Sequence, residues 1–501
     1  MPPPPPTSTG ETGQRGSNGD EFHYDARGRK IPLKRNVNEY AVRYLAGHRS
    51  DSNLLSEDAR QLLIDDSDHV SFLAPYGLQV YCLKREAEQK IAADPAAAGT
   101  PKVERIERRL RDLEREQVVS FVAAVFRRPG YESDPVLTTT RFLAEFKRVV
   151  TDAEVDALNR AYNVRIVERL AYVMPALGYL LEAPSGTGNS GPVALSRVYY
   201  ESGLVRYAEP ELIQRRQFRQ VVEAEERDTA WLYQPHQWHL GKAGISDAWA
   251  GSGTGSASIT IAICDDGVDV THPEFAGKVV KEFDFENNVA SGSPKLDIDN
   301  HGTACAGVAT AAGVNARGVA PGCRLIAARC PAFLGSADEA RMFQWMADNN
   351  ADVISCSWGP PDGSNQPFPV PENVLSAINY CATRGRGGKG IPIFWAAGNG
   401  NEVVSSDGYA INPDVMAIAA CTESEKKAYY SDYGPEIFLT APSSGRIAEG
   451  DRRIFSVDRQ GAAGYNAGDA AAGDAAGNYT NSFGGTSSAT PGAAGVAALV
   501  L

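Results

Sequence analysis

Apolar and polar positions alternate differently in different parts of the chain. From about residue 231 onward, short and almost wholly apolar runs recur: SITIAIC, CRLIAARC, DVISCSW, IPIFWAAG and DVMAIAA. Between them lie segments with helical spacing: GTACAGVATAA, ADEARMFQWMADNN and ENVLSAINYCATRG. A strand that is apolar on both faces has no solvent side. Such strands alternating with helices predict an α/β domain with a parallel sheet buried on both faces.

Residues 136–213 carry another pattern. TRFLAEFK alternates like a strand, and TDAEVDALNRAYN reads as a helix with Thr151 as cap and Glu154 at the capping-box position. VRIVERLAYVM and GYLLEAP read as strands, VALSRVYYESG as a helix ended by Gly203, and VRYAEPE as a last strand. Strand–helix–strand–strand–helix–strand is a ferredoxin-like α+β order. Residues 214–230, QRRQFRQVVEAEERDTA, are dense in charge and are expected to form a linker.

Residues 36–135 read as an α+β region of unassigned role. Strands are expected at YAVRYL, VSFLAPYGLQVYCL and VVSFVAAVF, and a charged helix at PKVERIERRLRDLEREQ with Val103, Ile106, Leu110 and Leu113 on one stripe. Residues 1–35, opening MPPPPPTSTGETGQRGSNGDE, are expected to be a disordered Pro/Gly/Ser-rich tail.

Charge narrows the classes of partner. A formal net charge of −13 argues against nucleic acid or an anionic membrane as main partner and permits a cationic one. No run of 18 apolar residues occurs, so no transmembrane helix is expected. The first residues lack the basic and apolar regions of a secretory signal. The eight cysteines are scattered without a CxxC pair and are read as free thiols in a reducing, cytoplasmic setting. Only 14 residues follow Ser487, and the apolar ALVL ending is expected to mark a truncated domain.

In a parallel sheet, chemistry gathers at the carboxyl ends of strands and at helix N-termini. ITIAICDDGVD runs an apolar strand into Asp265 and Asp266. DNHGTACAG puts His301 at the start of a helix, and GGTSSATPGAAG does the same for Ser487. A serine nucleophile needs a base and positive potential for the developing oxyanion, and a helix N-terminus supplies the second. His301 can take the Ser487 proton, and Asp265 can hold the imidazole. Asp266, Asp269, His272 and Ser488 are nearby rivals. The Gly-Thr-Ser spacing favours Ser487.

The order Asp–His–Ser, with DDG, HGTACAG and GTSSATP, resembles the subtilisin-like serine proteases over roughly 231–501. CDDGVDVTHPEF, SCSWGP, GRGGKGIPIFWAAGNG and DGYA are most similar to the kexin-like, proprotein-convertase branch, and a bacterial calcium-dependent type fits as well. The resemblance implies a three-layer subtilisin-like fold and a serine endopeptidase with Asp265, His301, Ser487 and the oxyanion asparagine Asn399. The same resemblance implies that Asp265 is the aspartate of the pair and that His272, a loop residue just after it, is structural. It implies that Ser357, Trp358 and Gly359 pair with substrate by β-augmentation. It implies Asp362 and Asp407 in an acidic S1 pocket selecting Arg or Lys, and Asp266 as an acidic S2 contact. No cofactor is implied for catalysis. Structural calcium is implied at Asp362 and Asp432, and at a second site through Glu274. The block 136–213 resembles the family's inhibitory propeptides, with self-processing expected within 214–230, where Arg215, Arg216, Arg219 and Arg227 lie. The implied partners are polypeptides with a basic P1 residue and the chain's own propeptide. The alternative, an inactive binding protein on the same fold, runs against the intact Asp, His, Asn and Ser positions.

Overall fold

The computed structural model describes residues 20–44, 55–65, 67–70, 78–93, 102–113, 115–184, 191–219 and 237–501. The chain forms two compact units. One is Met1–Gln214 with Gly335–Ala337 and Pro371–Asn373; the other is Arg215–Leu334, Asp338–Val370 and Val374–Leu501.

The first unit contains the expected ferredoxin-like motif. Strands Tyr131–Phe146, Arg165–Arg169, Gly178–Glu182 and Val205–Arg215 alternate with helices Asp152–Ala161 and Gly191–Glu201 in the predicted order. All pairings are antiparallel, with Tyr131–Phe146 between Val205–Arg215 and Gly178–Glu182, and Arg165–Arg169 beyond the latter. The capping box between Thr151 and Glu154 is formed. Phe142, Phe146, Val155 and Tyr199 fill the core beneath the helices.

Two boundaries differ from expectation. The division at 135/136 falls inside the strand Tyr131–Phe146, whose first half pairs with Val119–Arg128. Val119–Arg128 in turn pairs with Lys30–Tyr44, so residues 36–135 and 136–213 share one sheet. Nor are residues 20–35 a tail: Asp20–Tyr24 and Lys30–Tyr44 form an antiparallel hairpin. Its turn is closed by Asp25, whose Oδ1 accepts the N–H groups of Arg27 (2.9 Å) and Arg29 (2.8 Å). Residues 1–19 lie outside the described residues, as does most of the expected linker.

The second unit is built on a seven-stranded parallel sheet. Its order is Val279–Asp284, Arg324–Arg329, Thr260–Asp265, Val353–Cys356, Ile393–Ala396, Met416–Cys421, Ile437–Pro442. The five predicted strands occupy the centre. The two that the apolar pattern did not mark, VVKEFD and IFLTAP, are the edges, where partial exposure tolerates Lys281, Glu282 and Thr440.

Side chains alternate between two covered faces. Ile261 and Ile263 join a core with Ala304, Val308, Ala489 and Ala493, so helices His301–Thr310 and Thr486–Val500 lie on one face. Cys264 contacts Met342 at 3.4 Å, and Trp395 stacks on Phe343. Helix Ser336–Asp348 thus covers the opposite face, completing three layers. All eight cysteines are free thiols. Among the described residues no helix is long and apolar enough to cross a membrane.

Candidate active site

Three segments meet at the carboxyl end of strand Thr260–Asp265, the third of the seven. Asp265 is its last residue, His301 opens one helix and Ser487 lies in the first turn of another. His301 Nδ1 is 2.7 Å from Asp265 Oδ1, and His301 Nε2 is 2.7 Å from Ser487 Oγ. An ionised Asp265 can only accept, so the proton belongs on Nδ1 and Nε2 is left to accept from the Ser487 hydroxyl. All three side chains are buried.

The supports of this series are also buried. Asp266 lies across the start of the histidine helix, its Oδ2 accepting the His301 N–H (3.0 Å) and its Oδ1 the Gly302 N–H (2.7 Å). Asp266 therefore caps a helix that belongs to a distant segment. Burial, with the nearby charges of Asp265 and Asp299, raises its pKa well above the usual carboxylate range. A Cβ on Gly302 would lie 2.8 Å from that of Asp265, which keeps this position small. Arg329, wholly buried, holds Asp299, two residues before His301, at 2.8 Å. Of the rivals, Ser488 bonds to Ser443 (2.7 Å) and His272 to the Asn478 carbonyl (3.1 Å). Neither enters the series.

An extended stretch of the chain lies beside Ser487. Gln217 and Phe218 pair antiparallel with Gly359 and Trp358, and the Arg219 N–H donates to the Ser357 carbonyl at 2.9 Å. The Ser487 N–H donates to the Arg219 carbonyl at 3.1 Å. Asn399 flanks this point: its Oδ1 accepts the N–H and the hydroxyl of Thr486, both at 2.9 Å. Its Nδ2 is buried and bonds to no described residue. The segment SWG thus pairs with residues 217–219 of the same chain.

The Arg219 side chain enters a buried acidic pocket. Its guanidinium bonds to Asp362 and, at 2.8 Å, to Asp407. Burial works against its charge, but Asp362, Asp407 and Asp432 more than offset this, and its pKa is raised. Burial also pushes the Asp407 carboxyl up to about 6 against the pull of Arg219. Its second oxygen is held by the N–H groups of Tyr409 (2.9 Å) and Ala410 (3.1 Å). Gly359 makes room, since a Cβ there would lie 2.8 Å from Asp407 Oδ2 and collide with the guanidinium.

Two further acids were not marked by any motif. Glu339, buried, pairs with Arg216, whose guanidinium also lies over the Trp358 ring. Glu402 joins Asp362 and Asp432, with one oxygen of each within 4.8 Å of the others. Two calcium–oxygen bonds of about 2.4 Å span that distance, and three carboxylates are a hard-oxygen donor set suited to calcium. Glu274 lies elsewhere and is not placed as a ligand. Its oxygens accept the N–H groups of Gly313 (2.8 Å), Val314 (3.0 Å), Asn315 (2.6 Å) and Ala316 (2.8 Å). Four converging donors leave positive potential where a cation would sit.

A hydroxyl, an imidazole and a carboxylate in series, at the carboxyl edge of a three-layer α/β sheet and facing an extended peptide, make up a serine-nucleophile constellation. Residues 256–501 match the model of the Subtilase family (peptidase S8). A calcium-dependent protease of Trichormus variabilis is 41% identical over 413 residues, covering 78% of this chain and 59% of that protein. Neuroendocrine convertase 2 of Bos taurus is 31% identical over 288 residues, covering 53% of this chain and 42% of that protein. The chain therefore spans only part of the length of these relatives. The structure of fervidolysin from Fervidobacterium pennivorans, a keratinolytic enzyme related to subtilisin, superposes with a TM-score of 0.54 at 21% identity. It covers 73% of this chain and 55% of that one, and the likeness is one of fold.

Proposed function

We propose that the chain is a serine endopeptidase made as a precursor that cleaves itself after Arg219, and that it prefers arginine at P1, the residue before the cut bond. The observation that carries the reading is the position of one carbonyl. The Arg219 C=O meets the Ser487 N–H at 3.1 Å, while the Ser487 hydroxyl is 2.7 Å from His301 Nε2.

From this arrangement His301 takes the Ser487 proton as Oγ attacks the Arg219 carbonyl carbon. Asp265 keeps Nδ1 protonated and stabilises the imidazolium. Negative charge on the carbonyl oxygen develops toward the Ser487 N–H, and the free Nδ2 of Asn399 is the second donor. The imidazolium then protonates the leaving amine of Gln220, and water releases the acyl group by the same steps reversed. Asp362 and Asp407 neutralise the P1 guanidinium. The first unit leaves with the amino-terminal product, as an inhibitory propeptide would.

Calcium is part of the proposal at Asp362, Glu402 and Asp432. The relatives named calcium-dependent proteases support it. A bound divalent cation would relieve the repulsion among the three carboxylates and stiffen the wall of the P1 pocket.

Amino-terminal sequencing tests the proposal. The wild-type chain should yield a new terminus at Gln220, and Ser487→Ala should stay intact. A chain that shows protease activity uncut, or a Ser487→Ala chain cut at the same bond, would overturn it.

A further inference from the structure

If cleavage falls after Arg219, then Phe218 is the P2 residue and Gln217 is P3, and the role assigned to Gln217 rests on that reading. The Gln217 main chain pairs with Gly359, which any residue could do. Its side chain makes two further bonds, both to one residue. Gln217 Nε2 donates to Asp362 Oδ2 at 3.3 Å, and Gln217 Oε1 accepts the Asp362 N–H at 3.2 Å. Asp362 thus presents a donor and an acceptor side by side, and a primary carboxamide is the side-chain group that carries the complementary pair.

Asp362 is also the carboxylate that binds the P1 guanidinium, through its other oxygen. The P3 amide and the P1 cation therefore hold the same side chain from two directions. The turn behind it is fixed independently, because Glu402 accepts the N–H groups of Gly363 (2.8 Å) and Asn365 (3.0 Å).

We infer that this protease reads glutamine at P3, through the main-chain N–H and the carboxylate of Asp362. Alanine forfeits both bonds. Glutamate keeps the acceptor for the N–H but sets a second negative charge against the carboxylate. Lysine satisfies the carboxylate and leaves the N–H without an acceptor. Asparagine carries the right group on a stem one methylene too short.

The test uses the self-processed full chain and acyl-Arg-X-Phe-Arg peptides with a fluorogenic leaving group, X being Gln, Asn, Ala, Lys or Glu. An Arg-Gln-Phe-Phe peptide is the control for P1. The expected kcat/KM is highest for Gln, lower by about 10-fold for Ala, as for the loss of one or two partly exposed hydrogen bonds, and lowest for Glu. In Asp362→Asn the Gln-to-Glu ratio should fall several-fold, whatever the variant does to overall affinity.

Equal turnover of the Gln and Ala peptides would overturn the P3 inference and leave the P1 reading standing. An unchanged Gln-to-Glu ratio in Asp362→Asn would remove the carboxylate from it. Failure to cut any Arg peptide, or equal cutting of the Phe control, would overturn the underlying reading and this inference with it.

Discussion

Ser487 addresses the Arg219 peptide unit with its main chain while its side chain faces His301: the N–H lies 3.1 Å from the Arg219 carbonyl and the hydroxyl 2.7 Å from Nε2. One residue thus presents both a hydroxyl paired with an imidazole and an N–H donor to the same peptide unit. The second donor in the proposed mechanism is Asn399 Nδ2, buried and without a bond to any described residue. A buried amide left unpaired costs free energy unless a charge that forms only in the transition state uses it. Asn399→Ala is therefore expected to lower kcat by about 10²–10³-fold with KM nearly unchanged. Steady-state kinetics on an Arg peptide would check this, and a change confined to KM would contradict it.

The proposed P1 pocket should report on pH. The Asp407 carboxyl is pushed up to about 6 by burial even with the Arg219 guanidinium beside it. Only the ionised form attracts the cation, so affinity is present above this range and is lost as pH falls through it. KM for Arg peptides is expected to rise between pH 7 and pH 5. The same titration of an Asp407→Asn variant should start from a higher KM and lack this rise.

Glu274 is expected to matter for stability and not for calcium. Burial raises its pKa, four main-chain N–H bonds more than offset this, and the net shift is downward from the ordinary 4.5. A lowered carboxylate contributes stability above its unfolded pKa and loses it as pH falls through the folded one. Glu274→Ala would remove the shared acceptor of four N–H groups, one of them on the buried Ala316 and three in part-buried bonds, at about 1–3 kcal/mol for the buried donor. Thermal unfolding at pH 7 should show a Tm lower by several degrees, by the same amount with and without chelator. A loss that added calcium repairs would contradict the assignment.

Glu402 carries the opposite expectation. Its oxygens lie with those of Asp362 and Asp432, and removing one carboxylate from the three should weaken calcium markedly. Glu402→Gln is expected to need at least about 10-fold more calcium for half-maximal activity on an Arg peptide. An unchanged calcium titration would remove Glu402 from the site.

Much of this centre is legible in the primary structure because catalysis demands rare combinations in a set order. An apolar strand ending in Asp265, and His301 and Ser487 each opening a small-residue helix, converge as their positions imply. The features that were not legible depend on contacts between segments far apart in the chain. Asp266 sits beside a motif aspartate yet caps the helix that begins 35 residues later, a partnership no local pattern encodes. Glu274 is an acid in an expected ligand position, but the 313–316 loop folds its N–H groups onto it. Four arginines between 215 and 227 are equivalent by composition. Arg219 stands apart through contacts made in the fold: the strand pairing beside it, its guanidinium on Asp362 and Asp407, and its carbonyl at the Ser487 N–H. Glu339 and Glu402 lie in unremarkable stretches, and their roles come from which cations and carboxylates the fold brings to them.

The central claim is that His301, held by Asp265, makes Ser487 a nucleophile. Fluorophosphonate labelling of the purified chain, with the adduct located by peptide mass mapping, addresses it most directly. The adduct is expected on Ser487 alone, and Ser487→Ala should take up no label. Undiminished labelling of Ser487→Ala, or an adduct mapped to Ser488, would contradict the account.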